Sequence, residues 1–275
     1  MTHTRTALAA LLEQHGLGPS RALGQNFVVD PNTVRRIARL AGVGPGSNVV
    51  EIGAGLGSLT LALAETGASV TAVELDRHLL PVLREVVADR PVAVVEGDAL
   101  RLDWDDVLGG RERWTLVANL PYNVATPLVL DLLAGVPAIE RMLVMVQKEV
   151  GERLAAAPGT PAYGIPSVKV ALRATGEVGR VGPDVFLPRP KVDSALVEVV
   201  RLPEPATDAD PDLLVALVEA AFNQRRKMLR RSWPRAAPGG LRRCRDRPGR
   251  PARAAVGARL GTVDHAMADL GAPPP

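Results

Sequence analysis

The sequence predicts an open, doubly wound α/β sheet, and three observations carry that prediction. Between Asn48 and Val150, valine-rich apolar runs alternate with segments of helical periodicity. The runs are continuously apolar, as strands of a parallel sheet covered on both faces must be. Each polar motif falls at the carboxyl end of one of these runs, where open α/β sheets bind their ligands.

Taken in order, "NVVEIGAG" reads as a first strand running into a glycine turn, with "SLTLALAETG" as its helix. "SVTAVELD" and "RHLLPVLREVVADR" repeat the unit, and "VAVVEGDAL" adds a third strand. "WTLVANLPY" with "TPLVLDLLAGV" supplies a fourth strand and helix, and "MLVMVQKEV" the next strand. After Gly151 the texture changes to loops rich in Gly and Pro, followed by a late strand in "KVDSALVEVVRL". Pro203 to Pro211 resembles a linker, and Asp212 to Leu229 a helix opened by an aspartate cap. The expected organisation is a main domain over 1–204 with an N-terminal extension and the start of a small helical domain over 205–231. An atypical Arg/Pro/Gly-rich tail then fills 232–275, of the composition that a disordered segment or a change of reading frame in GC-rich coding sequence would have.

A chain of 275 residues can bury a large core and still carry an appendage. One cysteine, Cys244, excludes an internal disulfide, and four scattered histidines show no ligand spacing, so no metal is expected. No run approaches membrane-spanning length, and the apolar patch Ala7 to Leu12 is broken by Glu13. The expectation is a soluble, cytoplasmic monomer. The net charge of +3 hides an asymmetry: from Phe222 onward there are 13 Lys+Arg against 3 acids, and before it 20 against 27. Basicity therefore belongs to the tail, and charge alone does not decide for nucleic acid.

The first strand ends in "VVEIGAGLGSLT", with Glu51, Gly53, Gly55 and Gly57. Glycines let a backbone approach a ligand and take positive φ, and the following helix offers free N–H groups. The spacing is G-x-G-x-G after an acid, not the G-x-G-x-x-G of dinucleotide sites, which favours S-adenosyl-L-methionine over NAD. Glu74, about twenty residues on, is placed to accept from both ribose hydroxyls. Asp98 could accept from an adenine amine. Each motif alone is commonly a tight turn or a solvated strand-end acid; three on consecutive strands are not.

The fourth strand ends in "VANLPYNVATPLVL". A core strand needs neither the carboxamide of Asn119 nor the phenol of Tyr122. An exocyclic amine on an aromatic base is a poor nucleophile, because its lone pair is delocalised into the ring. Acceptors on its N–H groups favour a pyramidal nitrogen, and the Asn119 oxygen and Leu120 carbonyl suit that task. Pro121 stiffens the turn, and Tyr122 offers a stacking face.

With those residues assembled, the chain resembles the ribosomal RNA adenine N6,N6-dimethyltransferases, and among them the bacterial enzymes of the small subunit. The likeness runs from about Leu17 to Leu229 through "LGQNFVVD", "EIGAGLGSLT", "VELD", "EGDAL", "NLPYNVATP", "MVQKEVGERLAA", "YGIPSVKV", "VFLPRPKVDSALV" and "FNQRRKMLR". It implies a Rossmann-like class I S-adenosylmethionine-dependent methyltransferase domain with a small helical C-terminal domain. It further implies dimethylation of two adjacent adenosines in the 3′-terminal hairpin of 16S rRNA, with the small ribosomal subunit as partner. By motif match, Asn26 and Val28 would help close the cofactor pocket and Gly53 would face the methionine portion. Glu74 would hold the ribose, Asp98 the adenine, and Asn119 the junction with the target base. Phe186 would stack that base opposite Tyr122, although an aromatic in "DVFLP" is otherwise usually a packing residue. Arg225, Arg226 and Lys227 are candidates for phosphate contacts. Two alternatives stay open: an Erm-type enzyme acting on 23S rRNA, and a ribosome-assembly factor that binds without turnover.

Overall fold

A computed structural model describes residues 2–204, 206–207 and 210–223. The chain opens with α1 (Arg5–Gln14), β1 (Phe27–Val28), α2 (Pro31–Ala41), β2 (Asn48–Ile52), α3 (Ser58–Ala64) and β3 (Ser69–Glu74). It continues with α4 (Leu80–Val86), β4 (Val92–Glu96), α5 (Trp104–Leu108), β5 (Trp114–Asn119), α6 (Ala125–Gly135) and β6 (Ile139–Gln147). Then come α7 (Lys148–Leu154), α8 (Ile165–Ala171), β7 (Ala174–Val181), a 3-10 turn at Pro183–Val185, β8 (Phe186–Leu187), β9 (Ser194–Arg201) and α9 (Pro211–Asn223).

The caps show why the helices start where they do. The Thr4 hydroxyl accepts from Ala7 N at the head of α1. Asp30 accepts from the Asn32 and Thr33 amides at the head of α2, where Pro31 takes the first position. Gly42 then ends α2 in the left-handed region at φ 63°.

Seven strands form one sheet in the order β4-β3-β2-β5-β6-β9-β7, with β4 through β6 mutually parallel and β9 antiparallel to β6. The order reverses between β2 and β5, so the carboxyl ends of those two strands diverge into a crevice. A separate antiparallel ribbon pairs β1 with β8, Phe27 opposite Leu187 and Val28 opposite Phe186. The predicted parallel sheet is present. Two stretches differ from the sequence reading: "IPSVKVA", in a region taken as loop, is α8, and "ATGEVGRV" is β7.

The described residues fall into two compact units. One contains the residues up to Gly151 together with Glu177–Arg201. Its core lies between α2, α3 and the sheet and includes Val34, Ile37, Leu59, Leu63, Val117 and Leu143. The other contains Glu152–Gly176 and the described residues from Leu202 onward. There, Val168 and Leu172 pack on Leu214 and Val218 of α9, the Tyr163 and Phe222 rings tilt together at 6.3 Å, and Lys169 pairs with Glu219 at 2.9 Å. The predicted tail over 232–275 lies outside the described residues, as does the end of the predicted helix beyond Asn223.

Candidate active site

The crevice at the carboxyl ends of β2 and β5 holds a cavity built from four successive strand ends and the loop before β1. The turn after β2 carries Gly53, Gly55 and Gly57, all at positive φ. At Gly55 the requirement is double, because φ is 59° and a Cβ there would stand 3.1 Å from the Phe27 ring.

Glu74 fixes this turn to the next strand. Its Oε2 accepts from Gly55 N at 2.7 Å and its Oε1 from Asp76 N at 2.8 Å. Burial pushes its carboxyl above the usual carboxylate range, and the Asp76 and Gly55 backbone donors pull against that shift. A carboxylate offers about four lone-pair sites, so Glu74 keeps acceptor capacity beyond these backbone bonds in a cavity that it lines.

Glu51, one residue before the strand end, is 2 % exposed. Burial pushes its carboxyl up to about 8, the Thr60 hydroxyl works against the shift and the Glu74 charge adds to it. No hydrogen bond of ordinary geometry reaches Glu51 Oε2 or Thr60 Oγ1. Burial therefore favours the neutral form of Glu51, two residues before Gly53.

At the end of β4, Asp98 Oδ1 accepts from Leu100 N at 3.1 Å, and its other oxygen lies 3.6 Å from Arg101 Nε at the surface. Leu75 and Leu100, 50 % and 45 % exposed, border the same cavity with apolar surface. Exposed leucines flanking an acid suit a flat heterocycle with a polar edge.

The turn after β5 is tied on two sides. Leu120 N donates to Met145 O on β6 at 3.0 Å, and Asn119 Nδ2 donates to the Asn26 carbonyl at 2.8 Å. The second bond orients the amide: one of its two N–H groups is held by a backbone acceptor, which turns Asn119 Oδ1 to the side away from Asn26. Tyr122 is half-buried, with its hydroxyl 3.1 Å from Ser194 Oγ.

Of the residues expected from sequence, Asn26, Gly53, Gly55, Glu74, Asp98, Asn119, Leu120, Pro121 and Tyr122 line this one cavity. Val28 and Phe186 do not. Neighbouring residues of a strand point to opposite faces, so with Phe27 on the cavity side Val28 turns into the core. Phe186 is paired with Val28 and is 0 % exposed within the same cluster. The structure thus places Phe186 as a packing residue and not opposite Tyr122. Arg225, Arg226 and Lys227 lie outside the described residues.

The sequence reading passed over Gln25, Phe27 and Gly97, which also line the cavity. Gln25 is the latch of its loop: Oε1 accepts from Ser20 N at 2.7 Å and Nε2 donates to Asp76 Oδ2 at 2.8 Å. The signal was available in "LGQNF" and in the glycine beside Asp98. Among the described residues, no group of His, Cys, Asp and Glu could hold a metal ion, and no helix is long and apolar enough to cross a membrane.

Comparison with known proteins shows the family of the chain. Residues 19–245 match the family model described as ribosomal RNA adenine dimethylase, so the match extends past Leu229, where the sequence reading let the likeness end. The chain is 52 % identical over 237 residues to the ribosomal RNA small subunit methyltransferase A of Thermobifida fusca, covering 82 % of each. Among solved structures it is similar to a dimethyladenosine transferase from Plasmodium falciparum, with TM-score 0.66 and 26 % identity over 74 % of this chain and 73 % of that one. It is also similar to the 23S rRNA methyltransferase ErmE, with TM-score 0.68 and 25 % identity over 90 % of this chain and 100 % of that one. A glycine turn latched by a buried acid, an amide turn at the sheet's switch point and a match over most of its length identify this chain as a member of the ribosomal RNA adenine dimethylase family.

Proposed function

We propose that this chain dimethylates N6 of two adjacent adenosines in the 3′-terminal hairpin of 16S rRNA, using S-adenosyl-L-methionine and acting on the small ribosomal subunit in the cytoplasm. The observation that carries the reading is the orientation of Asn119, whose nitrogen is turned toward the Asn26 carbonyl so that its oxygen is the end presented to an amine.

The residues fit the cofactor. Glu74 has fixed oxygens with acceptor capacity for a diol, Asp98 is an acceptor beside the apolar Leu75 and Leu100, and the turn at Gly53 and Gly55 is open to close approach. When bound, S-adenosyl-L-methionine supplies a methyl group already activated on a sulfonium. The protein therefore has to position the nitrogen, not to generate a strong nucleophile. Asn119 Oδ1 and the Leu120 carbonyl accept the two N–H groups of the amine, Pro121 restricts the turn, and the Tyr122 ring gives the base a face to lie on. The adenosine must leave its stack to reach them, which costs least in a loop. Arg225, Arg226 and Lys227 contribute phosphate contacts.

Similarity to ErmE motivates the alternative of 23S rRNA as substrate, and the two-fold higher identity to the small-subunit enzyme favours 16S. The test exposes purified protein and labelled S-adenosyl-L-methionine to undermethylated small subunits and, separately, to naked large-subunit rRNA, with nucleoside mass spectrometry as readout. Dimethyladenosine on the small subunit alone is expected. Product on large-subunit RNA alone would transfer the reading to the Erm type, and cofactor binding without product on either would leave a binding factor.

A further inference from the structure

The proposed stacking residue Tyr122 does not stand free in the cavity. Its hydroxyl lies 3.1 Å from Ser194 Oγ, and Ser194 is 0 % exposed at the first position of β9. Both partners are referenced to one strand. The turn bearing Tyr122 hangs from Met145 of β6 through Leu120 N, and Ser194 sits opposite Gln147 of β6, two residues further along. Lys148 N then donates to Asp193 O at 3.0 Å, closing the ladder just before Ser194. The sheet register therefore sets the distance between the phenol and the serine.

Burial pushes the Tyr122 phenol above its usual range, with the Ser194 bond working against that shift, so the group stays a neutral donor and acceptor. The ring is held at its backbone end by the turn and at its hydroxyl end by Ser194. Resting on the function proposed above, we propose that Ser194 is a positioning residue: it fixes the long axis of the Tyr122 ring, so that the target adenine stacks with its amine directed at Asn119. A phenylalanine at position 122 would keep the stacking face but lose the fixed axis.

The test is a double-mutant cycle in the full chain, with Ser194→Ala, Tyr122→Phe and both together. It reads turnover on whichever rRNA the wild type methylates, cofactor Kd by calorimetry, and thermal midpoint. Each single variant is expected to lower turnover about fivefold, the size of one lost hydrogen bond. The double variant is expected to lie within twofold of either single one, with cofactor Kd unchanged in all three. A bond serving only the fold would lower the thermal midpoint of Ser194→Ala and leave turnover of the folded enzyme alone. Turnover within twofold of wild type in Tyr122→Phe, losses that multiply in the double variant, or cofactor affinity falling in step with turnover would each overturn the assignment. Should Ser194→Ala not fold, Tyr122→Phe removes the same bond from the cavity side and decides alone. A wild type inactive on both RNAs would sink the proposed function, and this inference with it; an active wild type with unaffected variants would sink only the tether.

Discussion

Asn119 Nδ2 donates to the Asn26 carbonyl at 2.8 Å, across 93 residues of sequence. One bond thus does two things: it closes the loop before β1 over the cavity, and it turns the amide so that its oxygen is the exposed end.

Replacing Asn119 by alanine removes the acceptor proposed to face the reacting amine and one of the loop's anchors. Gln25 still latches that loop to Asp76, so the cofactor side survives. Turnover is expected to fall about 10²-fold, the order seen when one aligned polar group is lost from a reaction centre. Cofactor Kd should move less than threefold. Equal losses in both would show that Asn119 merely shapes the pocket.

Glu74→Gln keeps the shape of the side chain but turns one of its two acceptors into a donor. Either Gly55 N or Asp76 N then faces an amide nitrogen. The glycine turn loosens, and the proposed ribose contact weakens. Calorimetry with S-adenosyl-L-methionine is expected to show about tenfold weaker binding, as for one charged hydrogen bond. Unchanged affinity would remove Glu74 from the cofactor site.

Glu51 makes the fold pH-sensitive. Its carboxyl is raised from 4.5 to about 8 by burial, so between those values the folded chain holds a proton that the unfolded chain has released. Stability then falls as pH rises through that window and levels off above it. Glu74 is shifted in the same direction and adds to the slope. Glu51→Gln cannot ionise, so its thermal midpoint should drop less between pH 5 and pH 9, by roughly a few degrees. Parallel curves for the two proteins would contradict a protonated Glu51.

Gly55 and Gly109 form a matched pair, with φ of 59° and 60°. Alanine at either incurs the same backbone strain, about 1–2 kcal/mol. Around Gly109 a new Cβ meets nothing within 4 Å, whereas at Gly55 it presses on Phe27. Both variants should lose a few degrees of thermal midpoint, roughly. Only Gly55→Ala should also weaken cofactor binding, and equal affinities would show that Phe27 tolerates the intrusion.

How much of this was legible follows from where each residue sits. The parallel strands announce themselves, because burial on both faces leaves runs such as "LVAN" with nothing polar until the end. The strand-end residues Glu74 and Asn119 stand out for the same reason, each being the first polar group after the apolar residues before it, and Asp98 follows such a group, Glu96, by two positions. The edge strand β7 has no such run; with two glycines and three charged or polar residues in eight, it reads as loop. The start of α8 carries Gly164 and Pro166, which look like a turn and are also what opens a helix. Val28 was misplaced because a two-residue strand has too few positions to show which face is which. The segment "LGQNF" points to Gln25 as a site residue, but its role as a latch is not legible, because its partner Asp76 is 51 residues away.

The N-terminal helix has a consequence of another kind. Arg5 Nη2 donates to the carbonyls of Asp184 at 2.9 Å and Phe186 at 3.1 Å, separations of 179 and 181 residues. Helix α1 precedes the matched family region and buries Leu8 and Leu12 against Phe27, Leu56 and Leu79. During synthesis α1 leaves the ribosome long before the strand that receives its guanidinium. Its polar anchor is a late, high-contact-order event. Until then α1 rests on its apolar face, so a nascent chain arrested before Phe186 has its parallel strands in hand but not the guanidinium clasp that pins α1 beside them.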